Sequence, residues 1–494
     1  MTDDLETAAE PGRLRRVAIE PLSRVEGHGK VTLLLDDADR VRQARLHIVE
    51  FRGFEKFIQG RPYWEVPVMV QRLCGICPVS HHLAACKAMD QVVGADTLTP
   101  GAEKIRRLMH YGQILQSHAL HFFHLASPDL LFGFDAEVSR RNLVAVAAEH
   151  PDIARQGVLL RKFGQEVIRV TAGKRVHGTG AIPGGVNKRV SPAERAALRA
   201  EVGQVIDWSA AAVRLAQALY DADRPLYRDF ASFPAHSLGL VGADGGMDLY
   251  DGGLRARDRD GRPLFDHLAT DRYWDVIRED VKAWSYMKFP YLSALGAEDG
   301  WYRVGPLSRV NLCDFIPTPQ AKAARQAFLV HDDGRAARAT LGTHWARMIE
   351  MLHAAETIAA LLDDPALGSG DLVVSGERQA RGVGVLEAPR GTLIHHYRVD
   401  ENDMVTRANL IVSTTHNNQA MNTAIRAVAR RYLDGRTLTE GLLNHIEVAI
   451  RAFDPCLSCA THALGKMPLS LELIDADGRR IDRIVRRAGD CCPA

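Results

Sequence analysis

The sequence is short of several things. Cysteine is scarce, with eight residues in 494. That is too few for a disulfide scaffold, and in a reducing compartment such residues serve metals or redox chemistry instead. An excess of charge is missing too: 62 Lys+Arg against 61 Asp+Glu leave a formal net charge of +1. Neither nucleic acid nor a membrane surface is therefore expected as a partner. No run approaches the ~18 consecutive apolar residues of a membrane span. The opening "MTDDLETAAEPGRLRRVAIE" begins acidic and carries only a short apolar run after Arg15-Arg16, not the hydrophobic stretch of an export signal. A soluble cytoplasmic protein is expected. Internal repeats, low-complexity segments and Pro/Ser-rich linkers are also absent.

The rest reads as helix with some strand. Residues 15–50 hold three β-branched runs, "RVAIEP", "GKVTLLLDD" and "VRQARLHIVE", with a turn at 36–39. Apolar residues at helical spacing predict helices over 78–93, 101–126, 152–170 and 191–222, the last started by Ser191-Pro192. Residues 235–266, rich in Gly and Asp, predict an irregular β excursion. Helices resume over 318–363 and 416–452, around strand-like 382–399 and 409–415. The tail, "PLSLEL", "DADG", "RRIDRIV", alternates like a hairpin. Residues 1–14 are expected to be a disordered N-terminus, and 15–462 a single α-dominated unit whose two ends meet.

The ends carry the chemistry. Cys74 and Cys77 lie in "QRLCGICPVSHH", Cys456 and Cys459 in "DPCLSCATH". One C-x-x-C pair says little, but two supply four thiolates, a set that holds zinc, an iron–sulfur cluster or a catalytic thiophilic metal. Structural zinc sites clip short loops, whereas this set would weld opposite ends of the chain. Glu26 in "SRVEGHGK", with Arg24 nearby, could relay a proton from a thiolate, or be a solvated turn residue. Arg390 lies between Pro389 and Gly391, a rigid setting for aiming a guanidinium into a cavity, or pairs with a surface acid.

Beyond these motifs, "EFRGFEKFIQGRP", "SHALHFFHL", "IPGGVN", "AWSYMKFP" and "EAPRGTLIHHY" complete a pattern that resembles the large, catalytic subunit of nickel-iron hydrogenases, nearest the NAD-reducing cytoplasmic branch. The resemblance runs from about residue 15 to 485. It implies an α+β, predominantly helical fold, with a large helical bundle core and small peripheral β-sheets, like the quinone-side subunit of respiratory complex I. It implies reversible heterolytic splitting of dihydrogen. By the same match, Cys74 and Cys456 are terminal nickel ligands, and Cys77 and Cys459 bridge to an iron carrying cyanide and carbon monoxide. Cys456 takes the proton, Glu26 carries it on, and Arg390 assists cleavage from above the metals. Thr414 bonds a cyanide, His81 a bridging sulfur, and Asp454 remains as partner for Arg390. Glu55, the Leu410 carbonyl and His462 match magnesium ligands.

The resemblance extends to partners and processing. With no dinucleotide fingerprint and no further cysteine set, this chain must pass electrons to a small subunit with an iron–sulfur cluster. Flavin and NAD bind only on partner diaphorase subunits; NADP or deazaflavin is the alternative acceptor, and a non-catalytic complex I-like subunit the distant one. Residues 463–494 match a C-terminal extension that a maturation endopeptidase removes between His462 and Ala463 once nickel-insertion proteins have acted. Two positions depart from the uptake group: Ser117 where an aspartate is common, and Ser413 where a proline is. Cys86 and Cys313 read as core residues, Cys491 and Cys492 as surface thiols.

Overall fold

The computed structural model describes residues 5, 7–462, 469–474 and 480–486. The β-branched runs near the N-terminus form an antiparallel sheet of Arg15–Ile19 (β1), Gly29–Leu35 (β2) and Val41–Ile48 (β3), in sequence order. Within the stretch expected to be disordered, the Leu5 carbonyl accepts from the Ala44 amide at 2.7 Å and Pro11–Arg13 forms a single 3-10 turn.

The helical centre follows. Pro78–Val92 (α1), Pro100–Leu120 (α2), Pro151–Ala172 (α3) and Pro192–Ala222 (α4) arise where the apolar spacing predicts them. The start signal of α4 is a full capping box: Ser191 accepts from the Glu194 amide while the Glu194 carboxylate accepts from the Ser191 amide. The helix predicted over 101–126 is not continuous. Its α-geometry ends at Leu120, and His121–Ala126 winds as a wider π turn before Ser127–Phe132 resumes. The widened turn gives His121 an outside partner, and its Nε2 bonds the Arg451 carbonyl at 2.7 Å. Gly342–Asp363 (α5) packs on α2 and α4, and these helices share the largest apolar core.

Residues 235–266 are more regular than predicted. His236–Val241 (β4), Gly253–Arg257 (β5) and Pro263–Leu268 (β6) form an antiparallel sheet, with Tyr302–Arg303 parallel along the outer edge of β4. The Gly and Asp residues mark the turns between those strands. Asp258, for example, accepts from the amides of Asp260 and Arg262 at 2.9 and 2.8 Å.

Arg381–Ala388 (β7), Gly391–Val399 (β8) and Val405–Ile411 (β9) make the sheet that matters for the site. Pro389-Arg390 forms the tight turn between β7 and β8. Helix α1 lies directly against β7, because a Cβ on Gly384 would stand 1.9 Å from the Ala84 carbonyl oxygen. That contact brings the N-terminus of α1, where Cys77 sits, alongside the Pro389-Arg390 turn. Asn418–Val428 (α6) and Glu440–Ala452 (α7) then lead to the second cysteine pair. The ends meet as expected: Glu26 and Cys456 form an isolated parallel bridge. The predicted tail hairpin is present as Leu469–Ile474 (β10) and Arg480–Arg486 (β11), paired antiparallel. Among the described residues no helix is long and apolar enough to cross a membrane.

Candidate metal centre

Cys74 ends the turn Val70–Leu73 in extended backbone, and Cys77 immediately precedes Pro78, the first residue of α1. The amides of Ile76 and Cys77 both donate to Cys74 Sγ, at 3.2 and 3.1 Å. Cys456 and Cys459 follow α7, the latter in the turn Ser458–Ala460. Cys456 Sγ lies 3.2 Å from Cys74 Sγ and 2.7 Å from Cys459 Sγ. All four sulfurs fall within 4.8 Å of one another, and all four residues are buried. Hydrogen bonds from Cys456, Cys459 and Cys74 hold the Cys77 thiol well below its usual range, while burial pushes Cys456 and Cys459 up. A cation among the sulfurs would stabilise the remaining thiolates that burial alone disfavours. Among the described residues this is the only group of three or more Cys, His, Asp or Glu side chains that converges on one point.

One side of the cluster opens onto a small cavity lined by Ser80, His81, Arg390, Ser413 and Thr414 beside Cys77 and Cys456. Arg390 reaches over it from the β7–β8 turn. Its Nε donates to the Asp454 carbonyl at 2.6 Å, its Nη2 to the Asp454 carboxylate at 3.1 Å, and its Nη1 points at Ser117 Oγ, 3.5 Å away. Asp454 is thus the acid that answers Arg390, and a hydroxyl stands on its other side. Thr414 Oγ1 accepts from the Cys456 amide at 2.9 Å, leaving its hydroxyl proton free for the cavity. His81 hydrogen-bonds Cys77, and its Nδ1 lies 3.1 Å from His395 Nε2.

Glu26 is no free turn residue. Cys456 Sγ donates to its Oε2 at 3.0 Å, the Ser458 amide donates to the same oxygen at 3.2 Å, and the Leu457 amide donates to the Glu26 carbonyl at 2.9 Å. Arg24 turns away from it, to Asp129 at 2.6 Å.

The expected magnesium ligands also come close to one another, but Glu55 is engaged. Lys288 Nζ lies 3.0 and 3.2 Å from its two oxygens, and the Leu410 amide donates to Oε1 at 2.8 Å. His462 is buried with neither ring nitrogen bonded, and burial lowers it to about 3, so it offers a neutral donor. Two side-chain donors and a carbonyl fit a magnesium ion only in competition with the Lys288 ammonium. Ala463, Cys491 and Cys492 lie outside the described residues; Cys86 and Cys313 are buried, as expected.

Some members of the site escaped sequence reasoning. His395 and Tyr397 continue outward from His81, with His395 Nδ1 2.6 Å from the Tyr397 hydroxyl. Their alternation on β8, which puts both on one face, was the available signal. Lys288 lies in the segment AWSYMKFP, where nothing signals its pairing with Glu55, and the buried trio Arg309, Glu350 and Glu387 (Arg309 to Glu350 2.6 Å, to Glu387 2.8 Å) carried no signal.

A structural zinc site is closed by its ligands, whereas a reactive one keeps an open position. With a small open cavity on its free side, walled in part by Ala388, Leu393 and Val412 and overhung by Arg390, this thiol cluster belongs to a thiolate metalloenzyme and not to a stapled scaffold. The comparisons with known proteins say which. The Nickel-dependent hydrogenase family matches residues 52–136 and 256–462, and a HoxL-like family matches 16–51. The chain is 50% identical to the NAD-reducing hydrogenase HoxS subunit beta of Cupriavidus necator, across 96% of this chain and 100% of that one. It is 30% identical to Sulfhydrogenase 2 subunit alpha of Pyrococcus furiosus, across 90% and 98%. It superposes with a TM-score of 0.90 on a crystal structure of an NAD+-reducing NiFe hydrogenase in the H2-reduced state, 61% identical, covering 91% of this chain and 99% of that one. The Ni-Fe-Se hydrogenase of D. vulgaris Hildenborough, at 23% identity and a TM-score of 0.74, shares the fold. This chain belongs to the nickel-dependent hydrogenase family, as a large subunit.

Proposed function

We propose that the chain is the catalytic subunit of a cytoplasmic hydrogenase that splits dihydrogen heterolytically and reversibly, with NAD as the final electron acceptor. The likeness to two NAD-reducing hydrogenases supports the acceptor. Cys74 and Cys456 would hold nickel alone, and Cys77 and Cys459 would hold it together with an iron bearing cyanide and carbon monoxide. When bound, the metals supply a soft Lewis-acid site that accepts the hydride half of dihydrogen.

The chain's own residues handle the proton. Cys456 Sγ is the base, and its 3.0 Å contact with Glu26 Oε2 is the observation that carries this reading. A proton on that sulfur is already hydrogen-bonded to the carboxylate that takes it onward. Arg390, locked by Asp454, aims its charge into the cavity where dihydrogen must approach, and Thr414 would have its hydroxyl proton free for a cyanide of the bound iron. His81 hydrogen-bonds the sulfur of Cys77 and would so tune its donor strength toward a bound metal. Glu55, the Leu410 carbonyl and His462 would hold magnesium, displacing Lys288 from Glu55. Electrons leave through a small subunit with an iron–sulfur cluster and then flavin- and NAD-binding diaphorase subunits. Nickel-insertion proteins load the site, after which an endopeptidase cuts between His462 and Ala463.

The test is substitution with metal analysis. Cys→Ala at 74, 77, 456 or 459 should abolish hydrogen oxidation, while Glu26→Gln should keep nickel and iron, keep the infrared bands of the diatomic ligands, and lose about 10²-fold or more in turnover. Near-wild-type turnover in any Cys variant would sink the assignment, and so would stoichiometric zinc.

A further inference from the structure

Arg390 stands in a turn whose backbone is gripped both before and after it. From the short helix Pro306–Leu312 the Arg309 side chain reaches the end of β7. Its Nη1 donates to the Ala388 carbonyl at 2.7 Å and to Glu387 Oε2 at 2.8 Å, and its Nη2 donates to the Pro389 carbonyl at 3.3 Å. Nε and Nη2 also donate to the two oxygens of Glu350, each at 2.6 Å. All five N–H groups of Arg309 are thereby used. Past the turn, Ser413 Oγ donates to the Gly391 carbonyl at 2.7 Å. The peptide carbonyls on either side of Arg390 are thus fixed by side chains from distant parts of the chain.

The surroundings leave the turn little room to shift. A Cβ on Gly305 would stand 2.8 Å from the Arg390 carbonyl oxygen, and one on Gly391 would stand 2.2 Å from Val304 Cγ2. Both glycines have positive φ, +101° and +136°, and that lets the Val304-Gly305 backbone lie directly against the turn. Glu350 ties the same grip to a second neighbour of Arg390. Its Oε2 lies 3.0 Å from His118 Nε2, and Ser117, one residue earlier on α2, stands 3.5 Å from Arg390 Nη1. Arg309, Glu350 and Glu387 are all buried. A buried ion pair adds little net stability over apolar side chains of the same volume. What a forked cation supplies, and apolar packing does not, is two carbonyls of one turn held at fixed angles.

We propose that Arg309 and Ser413 are positioning residues for Arg390, fixing the turn that aims its guanidinium over the thiol cluster. The proposal rests on the reading of Arg390 as the residue that assists cleavage. Asp454 holds the guanidinium end of Arg390, while Arg309 and Ser413 hold its backbone end. With both ends fixed, the side chain has one direction.

The experiment uses the assembled, metal-loaded complex and measures hydrogen oxidation, nickel and iron content, and the infrared bands of the diatomic ligands. Arg309→Lys keeps the charge but has too few donors for the acceptors that Arg309 serves. It should retain both metals, shift the bands, and lose about tenfold to a hundredfold in turnover, the scale of a misplacement of about 1 Å. Ser413→Ala should show the same pattern with a smaller loss. The deciding measurement is a double-mutant cycle. In an Arg390→Lys background, Arg309→Lys and Ser413→Ala should cost no further turnover, whereas a general loosening of the fold would carry the same loss into both backgrounds. Wild-type turnover in either single variant, with Arg390→Lys impaired, overturns the positioning role of that residue, and so do equal losses in the two backgrounds. Wild-type turnover in Arg390→Lys overturns the reading of Arg390 and the positioning with it. Should Arg309→Lys fail to assemble, Ser413→Ala, which leaves no charge unpaired, decides by the same cycle.

Discussion

Arg390 grips Asp454 twice, through the backbone carbonyl at 2.6 Å and the side-chain carboxylate at 3.1 Å, with both side chains only 3% exposed. Burial pushes the Asp454 carboxyl up, and the Arg390 and Arg347 charges work against that rise. Arg390 itself, though burial alone would lower it, is held well above its ordinary value by Asp454 and the nearby thiolates. The guanidinium over the cavity is therefore permanently charged and fixed in direction.

Removing the acid should cost more than removing the reach of the base. Asp454→Ala leaves a buried, unpaired guanidinium and is expected to lose about 3–5 kcal/mol of stability, read as a lowered thermal midpoint of the purified complex. Arg390→Lys keeps the charge but cannot span both Asp454 oxygens. It should fold and hold metal, with hydrogen oxidation reduced well below wild type.

The buried histidines predict acid lability. Desolvation lowers His82 to about 4, and likewise His110, His344 and His416 to about 3 and His353 to about 4. The bonds of His82 suit a neutral ring, with Nδ1 donating to the Pro67 carbonyl at 2.8 Å and Nε2 accepting from the Ala181 amide at 3.2 Å. The unfolded chain binds these protons below the ordinary value near 6.5 and the folded chain does not. Stability is thus fully present above about pH 6.5 and is lost as pH falls toward 4, each group contributing on the order of a few kcal/mol. Thermal midpoints should be level from pH 7.5 to about 6.5 and fall from there to pH 4.5; a profile flat throughout would contradict neutral burial.

The line Cys77, His81, His395, Tyr397 should be spectroscopically audible. Tyr397→Phe removes the hydroxyl that bonds His395 Nδ1 at 2.6 Å. That leaves a buried ring nitrogen unmatched and loosens the orientation of His81. Infrared bands of the diatomic ligands are expected to shift by several wavenumbers with metal content unchanged, while Cys86→Ser, at a buried thiol outside the cluster, should leave them in place.

Intact mass tests the tail. Active, nickel-containing protein is expected to end at His462, and protein from nickel-starved cells at Ala494. Activity in a chain retaining Ala494 would mean that the β10–β11 hairpin is a permanent part of the fold.

The sequence made the four cysteines and Glu26 legible because their identities are constrained by chemistry at fixed spacing, and the helices because burial imprints a period. The partners of those residues were harder to see. Lys288 on Glu55, and Arg309 between Glu350 and Glu387, are charged side chains that sequence patterns assign to solvent, and only their long-range pairing makes burial tolerable. The π turn at His121 was invisible for a related reason. It depends on the Arg451 carbonyl, far along the chain, and not on the local run of residues.

The bridge between Glu26 and Cys456 has a consequence for synthesis. Cys74 and Cys456 are 382 positions apart. At the speed of a ribosome, that distance is roughly 20–80 s of translation. For that interval the first two thiols exist without the other two, in a chain whose last core helix has not been made. No four-sulfur site is available to any ion until the final segment emerges, so premature capture of a wrong metal by the full set is prevented by timing.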